Sequence, residues 1–192
     1  MRPFLALALA AGCSWFQPKP DRTRYYVLDV AAPEPKQPGA VEQPVVGLGP
    51  ITLPPYLDRP ELVSRVGRNE LQVSTNGRWA EPLDRGFGRT LRHKIEALLG
   101  PNAVIAFPWE PAKTPPIVIS VEVERFEPVG GSAELWVKYT MRESATGHIA
   151  FAGEERLSEP LADATPDAAV ASLSRAVGAL GRKLVRLVGD RR

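Results

Sequence analysis

Few side chains in this sequence stand where catalysis would need them. Asp58 and Glu61, three residues apart, could imitate a pair of catalytic carboxylates. The prolines around them, Pro54, Pro55 and Pro60, describe a rigid turn better. His93 lies in Arg92-His93-Lys94 within a helical pattern, and His148 follows a turn glycine with no ligand partner nearby in sequence. Gly47-Leu48-Gly49-Pro50 lacks the third glycine of a dinucleotide fingerprint and puts proline where a donor amide is needed. The chain holds no G-x-S-x-G elbow, no H-E-x-x-H pair and no Gly-rich phosphate loop. The expectation is a non-enzyme with no catalytic residues, no metal site and no cofactor.

The residue with the clearest chemical address is Cys13, the one cysteine of the chain. Before it stand Arg2, the short apolar run Phe4 to Ala10, and the small residues Ala11 and Gly12. That layout is a secretory signal, too short for a stable membrane span. Ala10-Ala11-Gly12-Cys13 resembles a bacterial lipoprotein signal, departing from it at Ala10, where leucine is commoner. The resemblance implies cleavage between Gly12 and Cys13, with acyl chains on Cys13 as the only added groups. One acyl chain holds a membrane marginally and two or more hold it firmly, at about 0.8 kcal/mol per buried CH₂. Ser14, where such signals commonly carry aspartate for inner-membrane retention, points to the inner leaflet of the outer membrane.

The rest of the chain must build the domain that this anchor would hold. Residues 1–12 read as signal peptide, 13–24 as a lipidated tether with Pro18 and Pro20, and 25–192 as one domain. Trp15 and Phe16 are amphipathic or apolar rings that would settle at a membrane interface. The 24 basic residues nearly balance the 22 acidic ones, which argues against a nucleic-acid binder working by phosphate neutralisation. Hydrophobic residues at 44% suffice for a core. Proline, at 20 of 192 residues, is about double its usual share.

Periodicity supplies the elements. Tyr25 to Asp29 reads as a first strand, and residues 31–44 as a polar loop. Val45 to Leu53 reads as a strand with an edge position or a bulge at Pro50. Leu71 to Ser74 alternates and runs into Asn76-Gly77, a tight-turn signal. A helix opens at Pro82 with Leu83, Phe87, Leu91, Ile95 and Leu99 in one stripe, Lys94 among the residues of other faces, and Gly100-Pro101 as its stop. Close approach of helix to sheet would explain Gly86 and Gly88. Ala103 to Phe107 is a short strand. Ile117 to Glu124, Glu134 to Arg142 and Ile149 to Leu157 read as a three-stranded meander, with Glu122 and Glu124 able to pair with Lys138 or Arg142. Thr165-Pro166-Asp167 caps a last helix with Val170, Leu173, Val177, Leu180, Leu184 and Leu187 inward. The fold expected is α+β: a mixed, largely antiparallel sheet with two long amphipathic helices packed on one face.

From Tyr25 onward the order of motifs resembles the PqiC-like ABC-type transport auxiliary lipoproteins. Tyr25-Tyr26-Val27-Leu28, Val46 to Pro60, Leu62-Val63, Asn69-Glu70-Leu71, Trp79 to Leu83 and the helix to Leu99 carry it. It spans about 25–190, is densest in 45–99, and is most specific at Leu53 to Val63, LPPYLDRPELV. The resemblance implies a non-enzymatic accessory subunit at the outer membrane. It would dock the periplasmic conduit formed by an MCE-domain protein, in a system that moves phospholipid between membranes. The competing reading is an envelope assembly lipoprotein that binds another protein and carries no lipid.

Two places could provide the docking surface. Tyr56, Leu57, Asp58 and Arg59 form a proline-stiffened loop with interface-prone Tyr and Arg; the alternative is that Tyr56 is core and Asp58 pairs with Arg59. Trp136 falls on the polar side of its strand, either as an exposed contact or resting on the Lys138 stem. Trp79, between a turn and a helix start, fits the core better.

Overall fold

The computed structural model describes residues 20–30 and 45–190. Cys13, Gly12, Trp15, Phe16 and the loop 31–44 lie outside the described residues. Within them, eight strands form one sheet: β1 (Arg24–Tyr26), β2 (Val46–Thr52), β3 (Glu61–Arg65), β4 (Leu71–Trp79), β5 (Val104–Ala106), β6 (Ile117–Val129), β7 (Ser132–Glu143) and β8 (Ile149–Pro160). Two helices accompany it, α1 (Leu83–Leu99) and α2 (Pro166–Gly189). The result is a single α+β domain with an open, mixed sheet.

The sheet forks at β6. One edge of β6 pairs along its length with β7, which pairs with β8, giving the expected antiparallel meander. The other edge is shared. Ile117 to Glu122 pair with β2 in parallel, and Val129 pairs with β3. β2 also carries β5 in parallel, whereas β3 carries β4 in antiparallel and β4 carries β1 in parallel. The long meander ladders make most paired residues antiparallel, although several strand pairs are parallel. Residues 53–60 bridge the two prongs, passing the stretch of β6 that pairs with neither.

Local sequence explains most of this. In β2 the register slips between Leu48 and Ile51, so Gly49 and Pro50 form a bulge there. Gly47 is required by a close approach: a Cβ there would stand 2.3 Å from Pro115 Cγ and 3.1 Å from the Trp109 ring. Gly47→Ala is therefore expected to cost about 1–3 kcal/mol by overpacking. A thermal melt of the variant, set beside one of Gly131→Ala, where a Cβ meets nothing within 4 Å, checks it.

The core stripe of α1 is as expected: Leu83, Phe87, Leu91 and Ile95 are buried, and Phe87 meets Phe126 of β6 edge-on at 5.3 Å. In α2, Thr165 caps the helix by accepting a hydrogen bond from the Ala168 amide, with Pro166 in its first turn. Burial on α2 extends beyond the expected stripe to Ser172, Ser174, Ala176, Gly178 and Gly181. The cause is visible in its neighbours: α1 packs against it, and Ser174 Oγ accepts from the Asp29 amide.

Four expectations are corrected. The first strand ends at Tyr26, and Leu28 to Val30 instead lie against the helices, held by Arg89, Lys94 and Ser174. Asn76-Gly77 makes no hairpin turn. It lies inside β4, where the register against β3 slips and Ser74 Oγ accepts from the Gly77 amide. The turn between β3 and β4 is at residues 66–70, closed by the Val66 amide on the Glu70 carbonyl. Lys94 is buried; its stem packs near Gly178 and Gly181 of α2 and its ammonium donates to the Val30 carbonyl. Finally, Gly88 does approach the sheet, at Ile51, but Gly86 makes room for the Glu81 side chain.

Candidate functional site

The expected docking residues Tyr56 and Trp136 lie far apart in sequence, and the fork of the sheet brings them into one network. Pro55–Leu57 form a single 3-10 turn. Leu57 points into the core at 3% exposure, Tyr56 is half-buried, and Asp58 and Arg59 are exposed. The Tyr56 hydroxyl donates to Glu127 Oε2 at 2.9 Å and more weakly to the Glu124 carbonyl at 3.3 Å. Arg59 pairs with Glu61 at 3.1 Å and not with Asp58. Glu61 is also 3.7 Å from Arg78, and the Arg59 hydrogen bond is the main reason its carboxyl titrates below the ordinary range. Glu61 is thus engaged by two arginines, and Asp58 is exposed.

Glu127 is the hub. Its side chain is fully buried, which for a carboxylate demands full pairing. Oε1 takes both Arg65 Nε at 2.9 Å and Arg65 Nη2 at 2.8 Å, two charge-assisted contacts converging on one oxygen. Oε2 takes the Tyr56 hydroxyl and the Phe126 amide at 3.0 Å. Arg125 stands 3.6 Å from Oε1 and 3.4 Å from Glu134. The same Arg125 guanidinium stacks 3.8 Å above the Trp136 ring, with Arg156 4.4 Å from that ring. Trp136 is half-buried between two arginines drawn from β6 and β8. Lys138 pairs with Glu124, as expected of the meander's polar side, while Arg142 donates to the Gly147 carbonyl.

Sequence reasoning missed Glu127, Arg65, Arg125 and Arg156. One register slip, between Val123 and Arg125, puts Arg125 opposite Trp136 and Glu127 opposite Glu134. Simple alternation from Ile117 does not register it.

The network has a titration signature. Burial first, then the negative charge of Glu127, pushes the Tyr56 phenol up to about 12 from its ordinary value near 10. An unfolded Tyr56 loses its proton earlier, so between about pH 10 and 12 the unfolded chain binds fewer protons than the folded one. Stability from this source is complete below pH 10 and falls as pH rises toward 12. Tyr56→Phe is expected to lower stability at neutral pH by about 1.5–3 kcal/mol, the worth of a hydrogen bond to a charged group. It should also flatten the alkaline decline; urea unfolding of both proteins from pH 8 to 11.5 measures each effect.

His93 and His148 are exposed. Trp79 is in the core, as expected, at 8% exposure. Among the described residues no cluster of His, Cys, Asp or Glu has the geometry to hold a metal, and no helix is long and apolar enough to cross a membrane. The arrangement presents a stiff loop and a stacked tryptophan on a braced surface.

The comparisons with known proteins agree with this architecture. The sequence description of the ABC-type transport auxiliary lipoprotein component family matches residues 26–185. The chain belongs to that family: it is a PqiC-like auxiliary lipoprotein of ABC-type transport, a membrane-anchored class of the cell envelope. Protein XCC0632 from Xanthomonas campestris, of the DUF330 family, superposes with a TM-score of 0.70 at 19% identity, covering 88% of this chain and 98% of that one. An uncharacterized protein of known crystal structure superposes with a TM-score of 0.69 at 17% identity, covering 85% and 97%. Identities this low establish the shared fold and nothing further. No curated protein matches the chain.

Proposed function

We propose that the chain is a non-enzymatic accessory subunit of an MCE-type intermembrane lipid transport system. Acyl chains on Cys13 hold it at the periplasmic face of the outer membrane, and residues 13–24 set its reach. The folded domain docks the periplasmic conduit of an MCE-domain partner and so helps phospholipid pass between membranes. The observation that carries this reading is the family match across residues 26–185.

The docking surface is the exposed end of the proline loop, Asp58 and Arg59, continued through Arg125 to Trp136. Tyr56 and Leu57 anchor that loop from beneath, which removes conformational entropy before binding and favours affinity. Arg59 lies at the exposed tip, so charge reversal there changes the surface without opening the core.

Affinity isolation of the lipidated protein from solubilised membranes, with mass spectrometry of what comes with it, is the test. An MCE-domain protein should co-purify, and Arg59→Glu should reduce its recovery about ten-fold, the scale of one interface anchor. Envelope-assembly proteins in place of an MCE protein would replace this reading with the structural one.

A further inference from the structure

β8 leaves a long edge of the sheet open. Among the described residues it pairs with β7 alone, and its register runs unbroken from Phe151 to Pro160. The other outer strands, β1 and β5, are three residues each. Natural sheets blunt an exposed edge with short strands, bulges, lysine or proline. From Phe151 to Glu159 this edge carries neither lysine nor proline. A regular edge of this length is a template for another strand.

Two opposite charges on that edge lack partners. Glu155 and Glu159 lie on the face that α2 covers, paired with Lys183 and Arg175. Glu154 and Arg156 alternate with them onto the other face, and both are exposed. Neither makes a hydrogen bond or an ion pair with a described residue, although the charge of Glu154 reaches Lys138 across the ladder. Arg156 lies 4.4 Å from the Trp136 ring with no acidic partner.

A second copy of β8 would supply both missing partners. A two-fold axis through the sheet sets an antiparallel copy beside β8 with even-numbered residues facing even-numbered ones. Centred on Glu154, the pairing puts that residue against itself; centred on Arg156, it does the same to arginine. Centred on Glu155, it puts Glu154 of each copy opposite Arg156 of the other, and the strands overlap from Phe151 to Glu159. Directly opposed side chains have Cβ atoms about 4.5–5.5 Å apart, within reach of an ion pair. Glu155 then faces itself across the axis, and Lys183, 3.5 Å from it in each copy, offsets the repulsion.

We infer that the open edge of β8 is the interface with a second copy of this chain, paired antiparallel about Glu155. Glu154 of the second copy then completes the cluster on Trp136. The inference goes beyond the docking reading; it uses the anchor reading only because two copies held on one membrane meet at high effective concentration.

Glu155→Cys in the full chain, oxidised in native membranes with copper phenanthroline and run on a non-reducing gel, should give a covalent dimer. Ser158→Cys should give at least ten-fold less, because its two copies stand about 20 Å apart along the strands. Adding Arg156→Glu or Glu154→Arg to Glu155→Cys sets like charges against each other and should cut the yield at least ten-fold. Co-expressing those two chains, one with a tag that shifts its mass, should restore a mixed dimer, since the arginines of one then face the glutamates of the other. No dimer from Glu155→Cys, equal yields from positions 155 and 158, or a yield indifferent to the charge variants overturns the inference. A crosslink to a protein of another mass overturns the second copy as occupant. A dimer of the unsubstituted chain would reveal a free thiol at Cys13 and contradict the anchor reading alone; the same comparison in a Cys13→Ser chain then decides the edge.

Discussion

Arg65→Met is expected to destabilise the domain by about 3–5 kcal/mol, the usual cost of removing one partner of a buried ion pair. The reason is the carboxylate left behind. Glu127 has no exposed side-chain surface, and two of its four close contacts come from Arg65. Methionine restores the stem of Arg65 and none of its donors. A domain of this kind has about 5–15 kcal/mol of stability in all, so the variant should sit near the edge of folding at 37 °C. The double variant Arg65→Met, Glu127→Leu should recover a substantial part of the loss, because paired removal of buried charges is often neutral. Urea unfolding of the single and double variants, with m-values compared, measures both. A loss under about 1 kcal/mol in the single variant would show that water reaches the pair and would deny Glu127 its place as hub.

Cys13→Ser is expected to move the protein from the membrane fraction to the soluble periplasmic or unprocessed pool. The effect is large because anchoring is close to all or none: two or more acyl chains hold firmly, and a serine hydroxyl carries no thioether-linked lipid. Among the described residues no helix is long and apolar enough to cross a membrane. Fractionation followed by immunoblotting reads it directly. Unchanged sedimentation of the variant after a carbonate wash would refute lipidation at that position.

Local patterns revealed the elements, and long-range pairing decided the site. Leu83, Phe87, Leu91 and Ile95 announce their helix because a 3.6-residue period is written in consecutive turns. Thr165 and Pro166 mark the start of α2 for the same local reason. The meander was equally plain, its alternation running through three consecutive strands. The fork was not, because nothing in Ile117 to Val129 says that one edge serves both β2 and β3.

Glu127 followed from the fork. In sequence it is one glutamate among several in a polar, strand-forming stretch, and only a bulge and two distant segments bury it. Lys94 misled in the opposite direction: a lysine in a helix normally faces water, and here Gly178 and Gly181 open a channel along α2 for its stem. Asn76-Gly77 carried a strong tight-turn signal, and Gly77 instead pairs with Arg24 of β1 inside a strand. Of the expected site, the stiff Pro55–Leu57 turn was legible because proline acts locally, whereas the arginine stack on Trp136 needed the register of three strands.

A lipid-tethered adaptor must carry its lipid at Cys13, and intact-mass measurement of the mature protein extracted from membranes reads that group itself. The expected chain begins at Cys13 and is heavier than its residues by the mass of two or three fatty acyl groups and a glycerol. A chain that retains residues 1–12, or one that begins at Cys13 with no added mass, would contradict it.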